Sequence, residues 1–384
     1  MRIASLRQEA KNSWPSASSP PQVDAPPTSF RVIPIHEPII PVFHYSGWVE
    51  AGINAGMVEK IFLSSDERPF PKTTLRYSFT QMKEFKNEFS WSKSRDESFQ
   101  ACLRQYYFNY YAYWNGWLDD APLRTRQIYI LKNLKTRQMW GGEKVHQCIE
   151  RTMKNLQRGI PILDRDQIIA ITLNRMRADF KSSKAKHYLQ RPKSCALFEH
   201  EYDLGIPDEL WKETAHNVEI CLRNFYDSEL FREMQGIPAD RWLETEQFSY
   251  FMFEGVKIWV VMDCCFRSDH GITIIDWKTG TSTTQDNSIQ LSCYALYVLG
   301  RWGIDPEGIK IIEYNLSTDT PKDFSVTWRN IEDIKGYIRG SIADMRFLLM
   351  DVEGNIPKDE SLFKPVEDKR ISDTCNFRKI CKGR

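Results

Sequence analysis

The chain has 384 residues, 41% of them hydrophobic, enough to bury one large core or two smaller ones. Its 52 basic side chains against 51 acidic ones leave a formal charge of +1, which excludes a uniformly basic nucleic-acid binder and confines any phosphate-binding surface to local patches. No apolar run reaches membrane-spanning length, and the opening MRIASLRQEAKNSW lacks the apolar middle of a secretion signal, so a soluble, cytoplasmic protein with no membrane partner is expected.

Residues 1–30 carry Pro15, Pro20, Pro21, Pro26 and Pro27 among Ser and Ala, the composition of an extended, disordered tail. Residues 31–85 hold short apolar runs broken by Pro34, Pro38 and Pro41, an N-terminal extension to which no role attaches. Residues 98–118 predict a helix dense in rings (Tyr106, Tyr107, Phe108, Tyr110, Tyr111, Tyr113, Trp114, Trp117), read as core packing in preference to base stacking. Residues 124–137 are basic, and residues 175–193 carry seven Lys or Arg against Asp179 alone; such stretches either track a phosphate backbone or form a solvated helix face. Between them Gly142 opens a helical run, with His146 on it, that continues to Met153. Residues 158–240 are mostly helical in pattern and are expected to form an insertion beside a sheet.

The chemistry concentrates in residues 257–280. The apolar run 257–262 ends at Asp263; Ser268-Asp269-His270-Gly271 supplies turn residues; and residues 272–278 alternate as a half-buried strand does. An antiparallel pair follows, with Asp263 across from the start of the second strand and Asp276 and Lys278 on one of its faces. Two acids and an amine in one small volume repel unless a cation joins them, and oxygen donors favour hard ions such as Mg²⁺ or Mn²⁺. An acidic-x-Lys triplet arises roughly three times by chance in a chain of this size, so its neighbours decide its meaning. Downstream, residues 288–299 form an amphipathic helical pattern that puts Gln290 and Tyr294 on one face. Residues 309–316 and 324–328 predict further strands, and 330–350 a closing helix. Cys264 and Cys265 read as core, and nine cysteines in an intracellular chain are no disulfide framework.

Taken in order, Gly142-x-x-x-His146, Asp263 at a strand end, Asp276-x-Lys278-Thr279-Gly280 and Gln290-x-x-x-Tyr294 resemble the RecB-type branch of the PD-(D/E)xK nuclease superfamily, which includes the exonucleases of CRISPR adaptation. Ser92-x-Ser94 and Cys102-x-Arg104-x-Tyr106-Tyr107 look like the entry segment of that family. The resemblance implies an α/β, restriction-endonuclease-like fold over residues 86–384, with a central mixed sheet flanked by helices and the 158–240 insertion beside it. It implies metal binding by His146, Asp263, Asp276 and the carbonyl of Trp277. Catalysis would fall to Asp263, Asp276 and Lys278, and substrate contact to Gln290 and Tyr294. Glu244 and Glu246 stand where related nucleases can carry an extra acid, as supporting groups. The activity implied is metal-dependent hydrolysis of DNA, more in the manner of an exonuclease, in repair, recombination or defence; the rival is a non-catalytic DNA-binding or scaffolding subunit of the same fold. No G-x-x-x-x-G-K-[ST] motif occurs, so a helicase partner would be a separate chain. The resemblance also expects iron–sulfur ligands at Cys102, Cys375 and Cys381. Ser372 stands where the first Cys of the C-terminal trio belongs, leaving three thiolates where a cubane cluster takes four.

Overall fold

The computed structural model describes residues 86–280 and 287–381; the Pro/Ser-rich tail and the 31–85 extension lie outside the described residues. In chain order the elements are β1 (Ser90–Trp91), α1 (Lys93–Ala101), α2 (Leu103–Tyr107), α3 (Leu123–Lys132), α4 (Arg137–Gln157), α5 (Arg165–Lys184), α6 (Phe198–Glu201), α7 (Asp208–Asp227) and α8 (Glu229–Gln235). There follow β2 (Trp242–Glu244), β3 (Ser249–Phe253), β4 (Val256–Val260), β5 (Cys264–Ser268), β6 (Gly271–Lys278), α9 (Ser288–Trp302), β7 (Ile309–Asn315), β8 (Thr320–Ser325), α10 (Trp328–Arg346), β9 (Leu349–Asp351), β10 (Ile356–Pro357), α11 (Lys369–Asp373) and α12 (Arg378–Cys381).

The fold is α/β and restriction-endonuclease-like. Its centre is a five-stranded mixed sheet in the order β2-β5-β6-β7-β8, in which only β6 and β7 run parallel, joined by a crossover through α9. The residues of β6 from Ile272 to Trp277 are all buried, so this strand is covered on both faces and not half-exposed as its alternation implied. Odd-numbered Ile275 and Trp277 join Cys264 and Phe266 in a core built with Val145, Ile149 and Met153 of α4 and Val218, Leu222 and Phe225 of α7. Trp277 meets the Phe225 ring edge-on at 5.2 Å. Even-numbered Asp276 and Lys278 project from the opposite face, toward α9.

The partner of β6 in the hairpin is β5, not the apolar run before Asp263. That run forms β4, which pairs with β3 in a separate sheet of order β1-β4-β3, and the chain changes sheets at Met262-Asp263. Because Cys264 pairs with Ile275, the register carries Asp263 to the end of β6, beside Asp276, and not to its start. Gly271, at φ +134, makes the turn: a Cβ there would lie 2.1 Å from the Gly308 carbonyl oxygen.

The aromatic segment is broken, not one helix. Cys102 adopts an extended backbone (φ −164, ψ 117) between α1 and α2, and Phe108–Ala112 is a π-helical turn. Its rings do pack: Tyr106 and Phe108 are fully buried, and the buried cations Arg95 and Lys132 sit over tyrosine faces, Lys132 at 3.4 Å from the Tyr113 centroid. The closing helix ends at Arg346, and a short β9–β10 hairpin follows that the pattern did not announce. Among the described residues no helix is long and apolar enough to cross a membrane.

Candidate active site

His146 occupies the middle of α4, where the i, i+4 spacing of Val145, Ile149 and Met153 buries one stripe against the sheet and the imidazole faces Asp263 at the start of β5. Its Nδ1 lies 3.1 Å from Glu246 Oε1 and 3.4 Å from Asp263 Oδ1. These three side chains offer ligand atoms that all fall within 4.8 Å of one another, the only such group of three or more His, Cys, Asp or Glu among the described residues. Asp263 Oδ2 accepts the Trp277 amide at 2.7 Å, which ties the carboxylate to the end of β6.

Asp276 stands outside that trio of atoms and anchors a second cluster. Its Oδ1 accepts Gln290 Nε2 at 3.2 Å and the Tyr294 hydroxyl at 3.4 Å, and Gln290 Nε2 also donates to Tyr294 at 2.6 Å. Lys278 Nζ is 2.5 Å from Asp276 Oδ2 and donates to Gln290 Oε1 at 3.3 Å. At that distance the Lys278 ammonium meets Asp276 Oδ2 directly, a charge-assisted contact within the buried cluster. The four-residue spacing on α9 and the two-residue spacing on β6 therefore meet face to face.

Burial dominates the electrostatics. It pushes the Glu246 carboxyl up to about 7, helped by the neighbouring Asp263 charge and opposed by His146. It pushes Asp276 up to about 6, again with Asp263 adding and Lys278 subtracting. Burial also opposes ionisation of Asp263, but His146, Lys278 and the Trp277 amide outweigh it and hold that carboxyl below its ordinary range. Three acids in one buried volume, two of them reluctant to ionise, is an electrostatic setting that a bound cation would relieve.

A family model described as the PD-(D/E)XK nuclease superfamily matches residues 90–382. The chain belongs to the PD-(D/E)XK nuclease superfamily. No curated protein matches it significantly.

Membership implies a nuclease hydrolase, and nucleases of this superfamily typically use divalent metals such as Mg²⁺. The residues fit such an ion: His146, Glu246 and Asp263 supply convergent donors, and the buried Asp276 carboxylate lies close enough to feel the Asp263 charge. Glu246 is the residue that pattern reasoning undervalued. It lies outside any regular strand, at φ +47, and only the chain's return from β2 carries it to His146. Glu150, one turn beyond His146 on α4, adds further negative charge against Glu246; its i+4 spacing was legible. Glu313 of β7, in register with Asp276, accepts Asn287 Nδ2 at 2.6 Å and had no signal beyond being an acid in an apolar strand.

The three cysteines implied as cluster ligands gather at the C-terminal tail. Cys102 and Cys381 lie near enough to Cys375 to disfavour its ionisation, so the two chain regions do approach. Cys102 Sγ accepts the Val366 amide and Cys375 Sγ accepts the Phe377 amide, contacts that ligand thiolates also make, while Ser372 Oγ turns to the Lys369 carbonyl at 3.2 Å. The tail is also held by Phe377, buried against Phe108 at 5.1 Å, and by Asn376, which donates to the Leu134 carbonyl at 2.8 Å and accepts the Tyr202 hydroxyl at 2.6 Å.

Proposed function

We propose that this nuclease hydrolyses DNA phosphodiester bonds with a bound Mg²⁺ or Mn²⁺, as an exonuclease of the RecB-type branch acting in repair, recombination or defence, with a separate helicase as the class of protein partner. The observation that carries this reading is the convergence of His146, Glu246 and Asp263 beside the Asp276–Lys278 pair. His146, Asp263 and Glu246, with Asp276 and the Trp277 carbonyl, would hold the ion; it would lower the pKa of a bound water and polarise the scissile phosphate. Lys278, already directed into the cluster, places a positive charge where charge develops on the phosphoryl oxygens. Asp276 holds that ammonium in place while Gln290 and Tyr294 orient Asp276. Gln290 and Tyr294 also line the approach for the phosphate backbone. Residues 175–193 supply exposed cations nearby in sequence, but Asp179 is already paired with Lys144 at 2.7 Å.

The test is digestion of end-labelled linear and of circular DNA, each single- and double-stranded, with Mg²⁺, Mn²⁺ or chelator. Loss of end label from linear DNA, sparing of circles, and inactivity in chelator and in the folded Asp276→Ala and Lys278→Ala proteins are expected. Undiminished cleavage in chelator, or by either variant, would refute the assignment, and cleavage of circles would refute the exonuclease reading.

A further inference from the structure

Three consecutive residues, Glu244, Thr245 and Glu246, are each tied to a different part of the fold. Glu244, the last residue of β2, is buried, and its Oε1 accepts the hydroxyl of Tyr297 at 2.5 Å. Tyr297 is itself buried and lies one turn beyond Tyr294 on α9. Thr245, also buried, accepts Gln157 Nε2 at 2.5 Å, and Gln157 is the last residue of α4. The Glu246 amide donates to the Met262 carbonyl at 2.9 Å, immediately before Asp263. The segment is thus pinned to the helix of Gln290 and Tyr294, to the helix of His146 and to the turn of Asp263. Those are the three supports of the site.

The pinning has a conformational reason. Glu246 has φ +47, a left-handed backbone that a residue with a Cβ adopts only where its surroundings over-determine it. The Met262 bond alone fixes the amide, not the direction in which the side chain leaves. Beyond Glu246 the chain runs into β3 of the other sheet, where buried Ser249 pairs with Val260 and its side chain lies beside both Glu244 and Tyr297. The Glu244–Tyr297 bond is the point at which both flanks of Glu246 are tied.

We propose that Glu244 and Tyr297 are positioning residues: their buried hydrogen bond sets the end of β2 so that Glu246, two residues on, reaches His146 at the metal site. This rests on the reading of His146, Glu246 and Asp263 as that site. A merely structural Glu244–Tyr297 bond would change stability alone. A positioning bond acts through Glu246 and must fall silent once the Glu246 carboxylate is gone.

The experiment is a double-mutant cycle read by Mn²⁺ titration calorimetry on the full chain without DNA. Tyr297→Phe removes one hydroxyl and is expected to weaken Mn²⁺ binding about tenfold, as loss of groups that orient ligands does. In the Glu246→Gln background the same substitution is expected to change affinity by less than about twofold. Equal loss in both backgrounds, or no loss in either, overturns the proposal. Asp263→Asn separates it from the reading beneath: if Asp263→Asn binds Mn²⁺ as the parent does, the metal site itself is misplaced, whereas its failure to bind alongside an unaffected Tyr297→Phe sinks only the positioning role. Should Tyr297→Phe not fold, Glu244→Gln, which takes the charge out of the same hydrogen bond, carries the same cycle with the same two outcomes.

Discussion

At the proposed metal site protons and a divalent cation would compete for the same oxygens, so the raised carboxyls make a quantitative demand on its pH behaviour. With Glu246 at about 7 and Asp276 at about 6, both are largely ionised at pH 8 and partly or mostly protonated at pH 6. The sign follows: affinity rises with pH through this window and levels off above it. Displacing the Glu246 proton at pH 6 costs about tenfold in apparent affinity and the Asp276 proton about twofold, together about 20-fold or about 1.8 kcal/mol. Glu246→Gln removes the larger share, so the variant binds more weakly at pH 8 but loses only about twofold between pH 8 and 6. Mn²⁺ titration calorimetry at both pH values, in two buffers of different ionisation enthalpy, measures the affinity and counts the protons released. An affinity that is flat from pH 6 to 8, or a Glu246→Gln protein with the parent's full slope, would refute the claim that buried carboxyls at this site await a cation.

Other outcomes follow from particular contacts. A Cβ at Gly142 would lie 2.8 Å from Thr279 Oγ1, so Gly142→Ala should push the Lys278-Thr279-Gly280 strand end away from α4 and lower cleavage at least about tenfold, a 1 Å misplacement being enough for that; unchanged cleavage would show that the contact is slack. Phe377→Ala should cost about 3–5 kcal/mol in urea unfolding and Cys375→Ser less than half of that, because the buried ring and not the thiol holds the tail; the reverse order would restore the thiols as the staple. Anaerobic reconstitution with iron and sulfide should leave the parent without stoichiometric iron or broad visible absorption, since Ser372 leaves the set a thiolate short; a bound cluster in the parent would show that another ligand completes it.

Local pattern was enough for what depends on neighbours along the chain. The i, i+4 relation of Gln290 and Tyr294, the shared face of Asp276 and Lys278 and the helix under His146 follow from 3.6- and 2-residue periods, and the structure keeps them. Even the parallel β6–β7 pair with a helix between was implicit in a strand, an amphipathic run and a second apolar strand. What the sequence could not decide is which strand pairs with which. Apolar run 256–260 and strand 264–268 both carry β-forming residues, and only competition for burial on two different sheets separates them at Asp263. The place of Glu246 was equally hidden, because a residue at φ +47 outside any strand has no period to betray its direction, and its contact with His146 spans 100 positions. Periodicity reports which side of its own element a residue faces. Which elements are then folded against that side is settled by the packing of the whole core, and His146, Glu246 and Asp263 come from three separate stretches of chain that only that packing brings together.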